Sequence, residues 1–404
     1  MTELQEFEMV AGSAKGQWTR TPLILSFPDN PNFTETYGFA GNSGHVNLEG
    51  QLMRRPDSTA RTVYIFMHPT SVLHLLPMPV ALADAGLDVL CAASRYPRND
   101  AALIQEKVAI DLGKWIAHAR TELGYDKVVL LGWSGGGSLS LFYQAQAETP
   151  TITHTPAGDP VDLVGAELQP ADGVIFIAAH LSRAETLTEW LDPSVTDEMD
   201  PDNRDPELDI YSPDCPNQPP YSAEFVARFR AAQVARNRRI TQWALDKLAE
   251  LKAAGGVEQE RAFVVHRTMC DVRWFDPAVD PSDRRVGWSY MGDPRAVNVG
   301  PVGLARYTTL RSWLSQWSYD KSNAKGPLNA AKIHQTPVLL IENTADEAVP
   351  STHNPAIFAA LATPDKEYVR LEGATHYYLG QPELLAQCID SVIGWSRRKG
   401  LLAP

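Results

Sequence analysis

The feature that most constrains this 404-residue chain is the segment 127–145, KVVLLGWSGGGSLSLFYQA. Its apolar run up to Leu131 predicts a buried strand, and a helix is expected after the glycines. Between them lies Gly-Trp-Ser-Gly-Gly, a G-x-S-x-G pattern in which a sharp turn from strand to helix exposes a serine hydroxyl. The context therefore makes Ser134 a candidate nucleophile, whereas the same five residues elsewhere would indicate only a turn.

Short apolar runs alternate with helix-length segments over much of the chain. Strands are predicted at 62–67, 87–92, 127–131, 173–178, 337–341 and 367–371, and helices at 101–123, 135–148, 354–362 and 382–399. This alternation predicts βαβ units, an α/β fold and a mostly parallel central sheet flanked by helices. We also expect residues 37–56 to form an antiparallel lead-in to the sheet.

One long interval interrupts the alternation. Roughly 155 residues separate the sixth strand, ending near Ala179, from the next strand near Pro337, which is far too long for a loop. The interval contains a predicted helix at 222–253, which Ser222 can cap and Gly255 can end. We therefore predict a sheet domain in two parts, 1–180 and 336–404, with a large, mainly helical cap (lid) at 181–335 inserted after strand 6.

A serine nucleophile needs a general base and an acid that orients it. In the chain order Ser…Asp/Glu…His, both partners follow the nucleophile. His376 is the best-placed base because it follows the last predicted strand. Asp346 is the preferred acid because it lies three residues after the preceding strand, with Glu342 and Glu347 as rivals.

The oxyanion of an acyl-transfer reaction needs hydrogen-bond donors beside the nucleophile. Gly135 supplies one backbone N–H at a helix N-terminus, and the second donor is expected from the loop His68-Pro69-Thr70-Ser71. Pro69 has no N–H, so Thr70 is our prediction, with Ser71 second. The candidate substrate contacts are His68, Trp133, Arg95 and Tyr96.

Composition narrows the function classes further. A formal net charge of -13 argues against nucleic-acid binding, which requires a basic surface. The sequence has no apolar run of about 18 residues and no secretory signal in MTELQEFEMVAG, so we expect a cytoplasmic protein with no membrane partner. No motif predicts a metal site or a cofactor. Whether the chain forms a homo-oligomer is left open.

Three motifs together resemble the α/β-hydrolase superfamily: GWSGG at 132–136, NTADEAVP at 343–350 and GATHYY at 373–378. The resemblance implies an esterase-like serine hydrolase with the α/β-hydrolase fold and a catalytic triad of Ser134, Asp346 and His376. The expected substrate is a carboxylic ester of a bulky or enclosed small molecule, cleaved through an acyl-enzyme. An acyltransferase, a thioesterase or a C–C bond hydrolase would use the same triad and stays an alternative.

Overall fold

The strand-forming runs of the sequence pair in a central eight-stranded sheet, in a computed structural model that describes residues 18–29 and 44–402. The strands of the described residues are β1 (Thr19–Pro28), β2 (His45–Arg54), β3 (Thr62–Met67), β4 (Asp88–Ala92), β5 (Lys127–Ser134), β6 (Gly173–Ala179), β7 (Val195–Asp197), β8 (Asp200–Arg204), β9 (Ala262–Val264), β10 (Tyr307–Thr309), β11 (Val338–Asn343) and β12 (Lys366–Leu371). The order in the sheet is β1-β2-β4-β3-β5-β6-β11-β12. This order confirms the predicted α/β architecture.

The helices are α1 (Pro77–Asp84), α2 (Gln105–Thr121), α3 (Gly135–Glu148), α4 (Arg183–Trp190), α5 (Ala223–Ala254), α6 (Pro294–Val299), α7 (Leu310–Ser312), α8 (Gly326–Ala330), α9 (His353–Ala360) and α10 (Pro382–Arg398). A π-helical turn, Trp313–Trp317, continues α7, and Val272–Trp274 form a 3₁₀ turn. The predicted helices at 101–123, 135–148, 354–362 and 382–399 correspond to α2, α3, α9 and α10, so those predictions are confirmed.

The six strands from β4 to β12 in the sheet order run parallel, while β1 and β2 are antiparallel to their neighbours. The lead-in strand is therefore confirmed as β2 from His45 onward. β1 was not predicted, because Pro22 and Pro28 interrupt its pattern at the sheet edge. Residues 37–43 of the expected lead-in, and the first residues, on which the absence of a signal was predicted, lie outside the described residues.

Both faces of the sheet are covered, which explains why its strands read as continuous apolar runs. In β3, Val63 and Ile65 pack in one layer with α2 and α3, whereas Tyr64 and Phe66 pack on the opposite face with α1 and α10. The carboxyl ends of the parallel strands are thereby held at one rigid edge of the sheet, which is where ligands of such folds bind.

The segment between β6 and β11 forms its own apolar clusters. Its longest element is α5, whose N-terminus is capped by Ser222 and which ends at Gly255 with φ of 59°. The predicted helix at 222–253 is thus confirmed. One face of α5, with Ile240 and Ala244, packs against α4 and against the tryptophans of the π-helical turn. The segment therefore has a core separate from the two layers that flank the sheet.

The two ends of this segment meet beside the sheet. A β-carbon on Gly326 would lie 2.2 Å from the carbonyl oxygen of Leu181, so the chain leaves the sheet layers and returns to them at one place. Ala324, Ala330 and Ile333 already pack in the layer that contains α3. These three residues precede the predicted boundary at 335, which stays a prediction.

Candidate active site

Ser134 stands at the junction of β5 and α3 in a strained backbone conformation. Its φ of 55° and ψ of -129° lie in a region that non-glycine residues rarely adopt and that costs about 1–3 kcal/mol. Close packing of the neighbouring glycines makes the turn possible. A β-carbon on Gly136 would lie 2.5 Å from the carbonyl oxygen of Met67, and one on Gly132 would lie 2.9 Å from the α-carbon of Gly137. The backbone segments can therefore pack this closely only because positions 132 and 136 carry no side chain.

The structure brings Ser134, His376 and Asp346 into one hydrogen-bonded chain. Nε2 of His376 lies 3.1 Å from Oγ of Ser134, and Nδ1 of His376 lies 2.8 Å from Oδ2 of Asp346. The three residues lie at the carboxyl ends of different parallel strands: Ser134 ends β5, His376 follows β12 and Asp346 follows β11. The parallel topology thus gathers residues that are 242 and 30 positions apart in the sequence.

The Asp346 carboxylate is held by its own loop. Its second oxygen, Oδ1, accepts hydrogen bonds from the backbone N–H groups of Ala348 and Val349, each at 2.7 Å. Because an ionised carboxylate only accepts hydrogen bonds, Nδ1 of His376 carries the proton and Nε2 is left with its lone pair toward Ser134. This arrangement leaves the imidazole able to accept the serine proton.

The loop that carries His376 is fixed by contacts with neighbouring strands. Nε1 of Trp133 donates to the carbonyl of His376 at 3.2 Å, and the Asn343 side chain donates to the carbonyl of Thr375 at 2.9 Å. The Tyr378 hydroxyl donates to the same asparagine at 2.7 Å. Trp133 therefore positions the histidine loop in addition to forming part of the cavity wall.

The two rival acids have other partners. Glu342 accepts from the hydroxyl of Tyr368 at 2.5 Å and pairs with Arg370 at 3.3 Å. Glu347 accepts from the backbone N–H of His376, at 3.4 Å, and burial raises the pKa of its carboxyl. Neither carboxylate bonds the imidazole, so the geometry favours Asp346 as the residue that orients it.

The oxyanion side differs from the sequence expectation. The backbone N–H groups of Thr70 and Ser71 both donate to Nδ1 of His68, at 3.1 and 2.9 Å. We expected Thr70, with Ser71 second, to face the substrate oxygen, but both amides are occupied by the imidazole. Gly135 is the first residue of α3 and directly follows Ser134, and its role as an oxyanion donor stays a prediction.

His68 is a neutral histidine with a defined tautomer. Because Nδ1 accepts two amide hydrogens, the ring proton resides on Nε2. Burial lowers the pKa of His68 well below its ordinary range, and the nearby Arg183 adds to this effect. His68 also lies in the cavity wall, so it presents a neutral imidazole next to the reacting groups.

A cavity of about 600 Å³ opens at Ser134. Residues of the sheet domain and of the segment between β6 and β11 both contribute to its wall, which includes His68, Thr70, Trp133, Ser134, Gly135, His180, Arg183, Trp190, Tyr290 and Trp317. Its mixture of aromatic and polar groups is typical of a small-molecule site.

Arg95 and Tyr96, two candidate substrate contacts, do not line this cavity. Arg95 is buried in the sheet domain, where Nη2 lies 2.8 Å from Oδ1 of Asp111 and Nη1 pairs with Asp29. Tyr96 packs in the apolar layer beside α2. Their position after a strand correctly indicated the sheet edge, but packing turns both side chains into the core.

The sequence analysis did not assign several residues of the cavity wall, among them His180, Arg183 and Tyr290. A signal existed for the first two, because His180 and Arg183 follow the carboxyl end of β6 at the same edge as the triad. Tyr290 comes from an irregular part of the segment between β6 and β11, and no local pattern marks it. Its ring lies 6.3 Å from that of His376.

Residues 18–29 and 44–402 contain neither a candidate metal site nor a membrane-spanning helix. No group of three or more His, Cys, Asp or Glu side chains in this part of the chain is arranged to hold a metal ion. Its helices are all too short or too polar to cross a membrane.

Comparison with known proteins gives the fold. No protein-family model matches the sequence, and no curated protein matches it. DcsB, solved in complex with its substrate analogue, superposes with a TM-score of 0.50 at 12% identity, over 94% of this chain and 99% of that chain. The alpha/beta hydrolase GrgF from Penicillium sp. sh18 gives the same TM-score of 0.50, at 12% identity over 94% of this chain and 99% of its own. At such identities the likeness concerns the fold alone.

Proposed function

We propose that this chain, which has the α/β-hydrolase fold, is a serine hydrolase that cleaves a carboxylic ester of a small molecule. The observation that carries the proposal is the continuous chain of hydrogen bonds from Ser134 through His376 to Asp346, with separations of 3.1 and 2.8 Å. A strained serine at the tip of a strand, a buried imidazole and an oriented carboxylate are the groups that acyl transfer to serine requires.

The reaction follows from these positions. Oγ of Ser134 attacks the acyl carbon while its proton passes to Nε2 of His376, and the Gly135 amide donates to the oxygen that becomes negative. Asp346 stabilises the imidazolium that forms. The tetrahedral intermediate collapses, and the alcohol leaves with the proton from His376. Water then attacks the acyl-enzyme by the same steps and releases the carboxylic acid.

The burial of the site supports a small-molecule substrate that enters a cavity. His376 is 1% exposed, and side chains from the segment between β6 and β11, Trp190 and Tyr290 among them, form part of the wall. We interpret the predicted insertion 181–335 as a cap that covers the catalytic edge of the sheet. Exclusion of water by such a cap strengthens the electrostatic stabilisation inside.

The proposal is tested with a series of p-nitrophenyl esters of increasing acyl length and with a fluorophosphonate probe. We expect ester hydrolysis, covalent labelling that maps to Ser134, and a loss of about 10³-fold or more in kcat for Ser134→Ala. Ser391→Ala is the matched control, because that hydroxyl bonds the backbone of its own helix and does not line the cavity. Undiminished activity of the Ser134 variant would overturn the assignment.

Acyl transfer, thioester cleavage and C–C bond hydrolysis use the same triad and are separated by their products. Product analysis with and without an added alcohol or thiol acceptor distinguishes transfer from hydrolysis. Parallel assays with a thioester and a β-diketone identify thioester cleavage and C–C bond hydrolysis. A preference for one of these substrates would keep the catalytic residues and change the reaction class.

A further inference from the structure

The cavity wall contains a buried cation, Arg183. This residue opens α4 directly after β6, is 6% exposed, and lines the same cavity as Ser134. Its Nε donates to Oε1 of Gln316 at 3.1 Å, and its Nη2 donates to Oδ2 of Asp100 at 3.1 Å. Among the described residues, none accepts a hydrogen bond from Nη1. A buried guanidinium thus retains unused donor capacity at the site of reaction.

Two other buried arginines show how this chain neutralises such a charge. Arg95 faces the fully buried carboxylate of Asp111 and also Asp29, while Arg273 faces Asp271 and Glu189. Although burial opposes it, these carboxylates raise the pKa of both guanidinium groups.

The positive charge of Arg183 is less completely neutralised than those of Arg95 and Arg273. Its one carboxylate partner, Asp100, has a side chain that is 33% exposed, so part of that negative charge is screened by solvent. Burial lowers the pKa of Arg183, and Asp100 offsets this only in part. An additional anion beside the guanidinium would give Arg183 two negatively charged partners, as Arg95 and Arg273 have.

The wall as a whole is positive, although the chain carries a formal net charge of -13. Arg98, which is exposed, is a second cation of the wall, and Asp100 is the single acidic residue among the described lining residues. The aromatic ring of Trp317 lies with its centroid 4.3 Å from the Arg183 guanidinium carbon, and Trp190 also lines the cavity, so apolar surface surrounds the charge. A charge-assisted hydrogen bond gains strength in such surroundings.

We propose that the ester substrate carries a carboxylate group in its acyl or alcohol part, and that Arg183, together with Arg98, binds this group. The inference rests on the proposed ester hydrolysis and adds the substrate class to it. A guanidinium with free N–H donors matches the geometry of a carboxylate, whereas a neutral ester would leave the buried charge compensated only in part, by Asp100.

The experiment compares matched anionic and neutral esters. For the acyl part the pair is mono-p-nitrophenyl glutarate and its methyl ester; for the alcohol part it is 4-carboxyphenyl butyrate and its methyl ester. The measured quantity is the ratio of kcat/KM for the anionic ester to that for the neutral ester. Ratios are compared between variants, so differences in intrinsic reactivity of the esters cancel.

We expect Arg183→Gln to lower this ratio by about 10-fold or more for one of the pairs, because a charged hydrogen bond is lost. Asp100→Asn should raise the ratio, because it removes the carboxylate that competes for the guanidinium. If Arg183 and Asp100 formed a purely structural ion pair, the two substitutions would not change the ratio in opposite directions. Arg183→Lys should retain part of the ratio, and the exposed Arg295→Gln, outside the cavity, should leave it unchanged.

Each result has a defined meaning. If neither Arg183→Gln nor Asp100→Asn changes the ratio for either pair, while the neutral esters are hydrolysed in a Ser134-dependent reaction, the inference is wrong and the proposed function stands. If Arg183→Gln does not fold, Asp100→Asn decides the question alone. Absence of both hydrolysis and fluorophosphonate labelling in the wild-type protein would overturn the function and the inference together.

Discussion

Nε2 of His68 lies 2.5 Å from the position that a β-carbon would occupy on Gly135. The flanking ring atoms Cδ2 and Cε1 lie at 3.2 and 3.3 Å from it, so the imidazole meets the glycine end on. The ring cannot turn away freely, because the amides of Thr70 and Ser71 hold its other nitrogen. The residue after Ser134 is therefore limited to glycine by a histidine from the loop that follows β3.

This contact predicts the effect of Gly135→Ala. The added methyl group must displace the His68 ring or α3, which we expect to cost about 1–3 kcal/mol of unfolding free energy. The shifted amide should also lower kcat by about 100-fold. Urea denaturation and ester kinetics measure the two effects. His68→Ala in the same chain should recover part of the stability, and Gly256→Ala, where a β-carbon meets no neighbour within 4 Å, is the control.

The orientation of His376 predicts a large effect of Asp346→Asn. An amide in place of the carboxylate can donate to Nδ1 and so favours the wrong imidazole tautomer. We expect kcat to fall by about 10³- to 10⁴-fold with little change in thermal stability. Glu342→Gln and Glu347→Gln should each change kcat by less than about threefold. An equal loss in either control would show that the orienting acid has been misidentified.

The burial of Arg95 predicts a structural and not a catalytic role for this residue. Arg95→Met leaves the Asp111 carboxylate buried without its guanidinium, which we expect to cost about 3–5 kcal/mol of stability. The folded fraction should keep the wild-type KM, because Arg95 is outside the cavity wall. Chemical denaturation and steady-state kinetics test both expectations. Combined replacement with Asp111→Leu should cost less than Arg95→Met alone, and a raised KM would contradict the structural role.

His180 predicts a loss of stability in mild acid. Burial, with a contribution from the nearby His353, lowers the pKa of His180 well below the ordinary 6.5. At pH values between 6.5 and the lower pKa of His180 in the folded protein, this histidine binds a proton in the unfolded chain and not in the folded chain. The free energy of unfolding therefore keeps its full value with respect to His180 above pH 6.5. Below pH 6.5 it declines as the pH falls, by about 1.4 kcal/mol per pH unit.

The measurement is the free energy of unfolding in urea at several pH values from 7.5 to about 5. His180→Gln should show a slope smaller than that of the wild-type protein by about 1.4 kcal/mol per pH unit, while the exposed His154→Gln should keep the wild-type slope. Comparison of slopes removes the contribution of other groups. Equal slopes for the His180 variant and the wild-type protein would contradict the predicted direction.

Much of the fold could be predicted from the sequence because its determinants are local. A strand buried on both faces is a continuous apolar run, so β3, β5, β6 and β11 were visible as such. The turn around Ser134 needs glycines at fixed offsets, and the loops after β11 and β12 directed attention to Asp346 and His376. These residues were identified by their spacing from strand ends, which parallel topology places at one edge.

Tertiary structure alone decided how the side chains at that edge are used. Arg95 has its charge buried against Asp111, and Arg183 lies in the cavity with partial compensation by Asp100. The partners in both pairs come from separate elements, and no local pattern encodes which of them meet. Sequence spacing determines which residues arrive at the catalytic edge, whereas long-range packing determines which hydrogen-bond donors and charges remain free to meet a substrate.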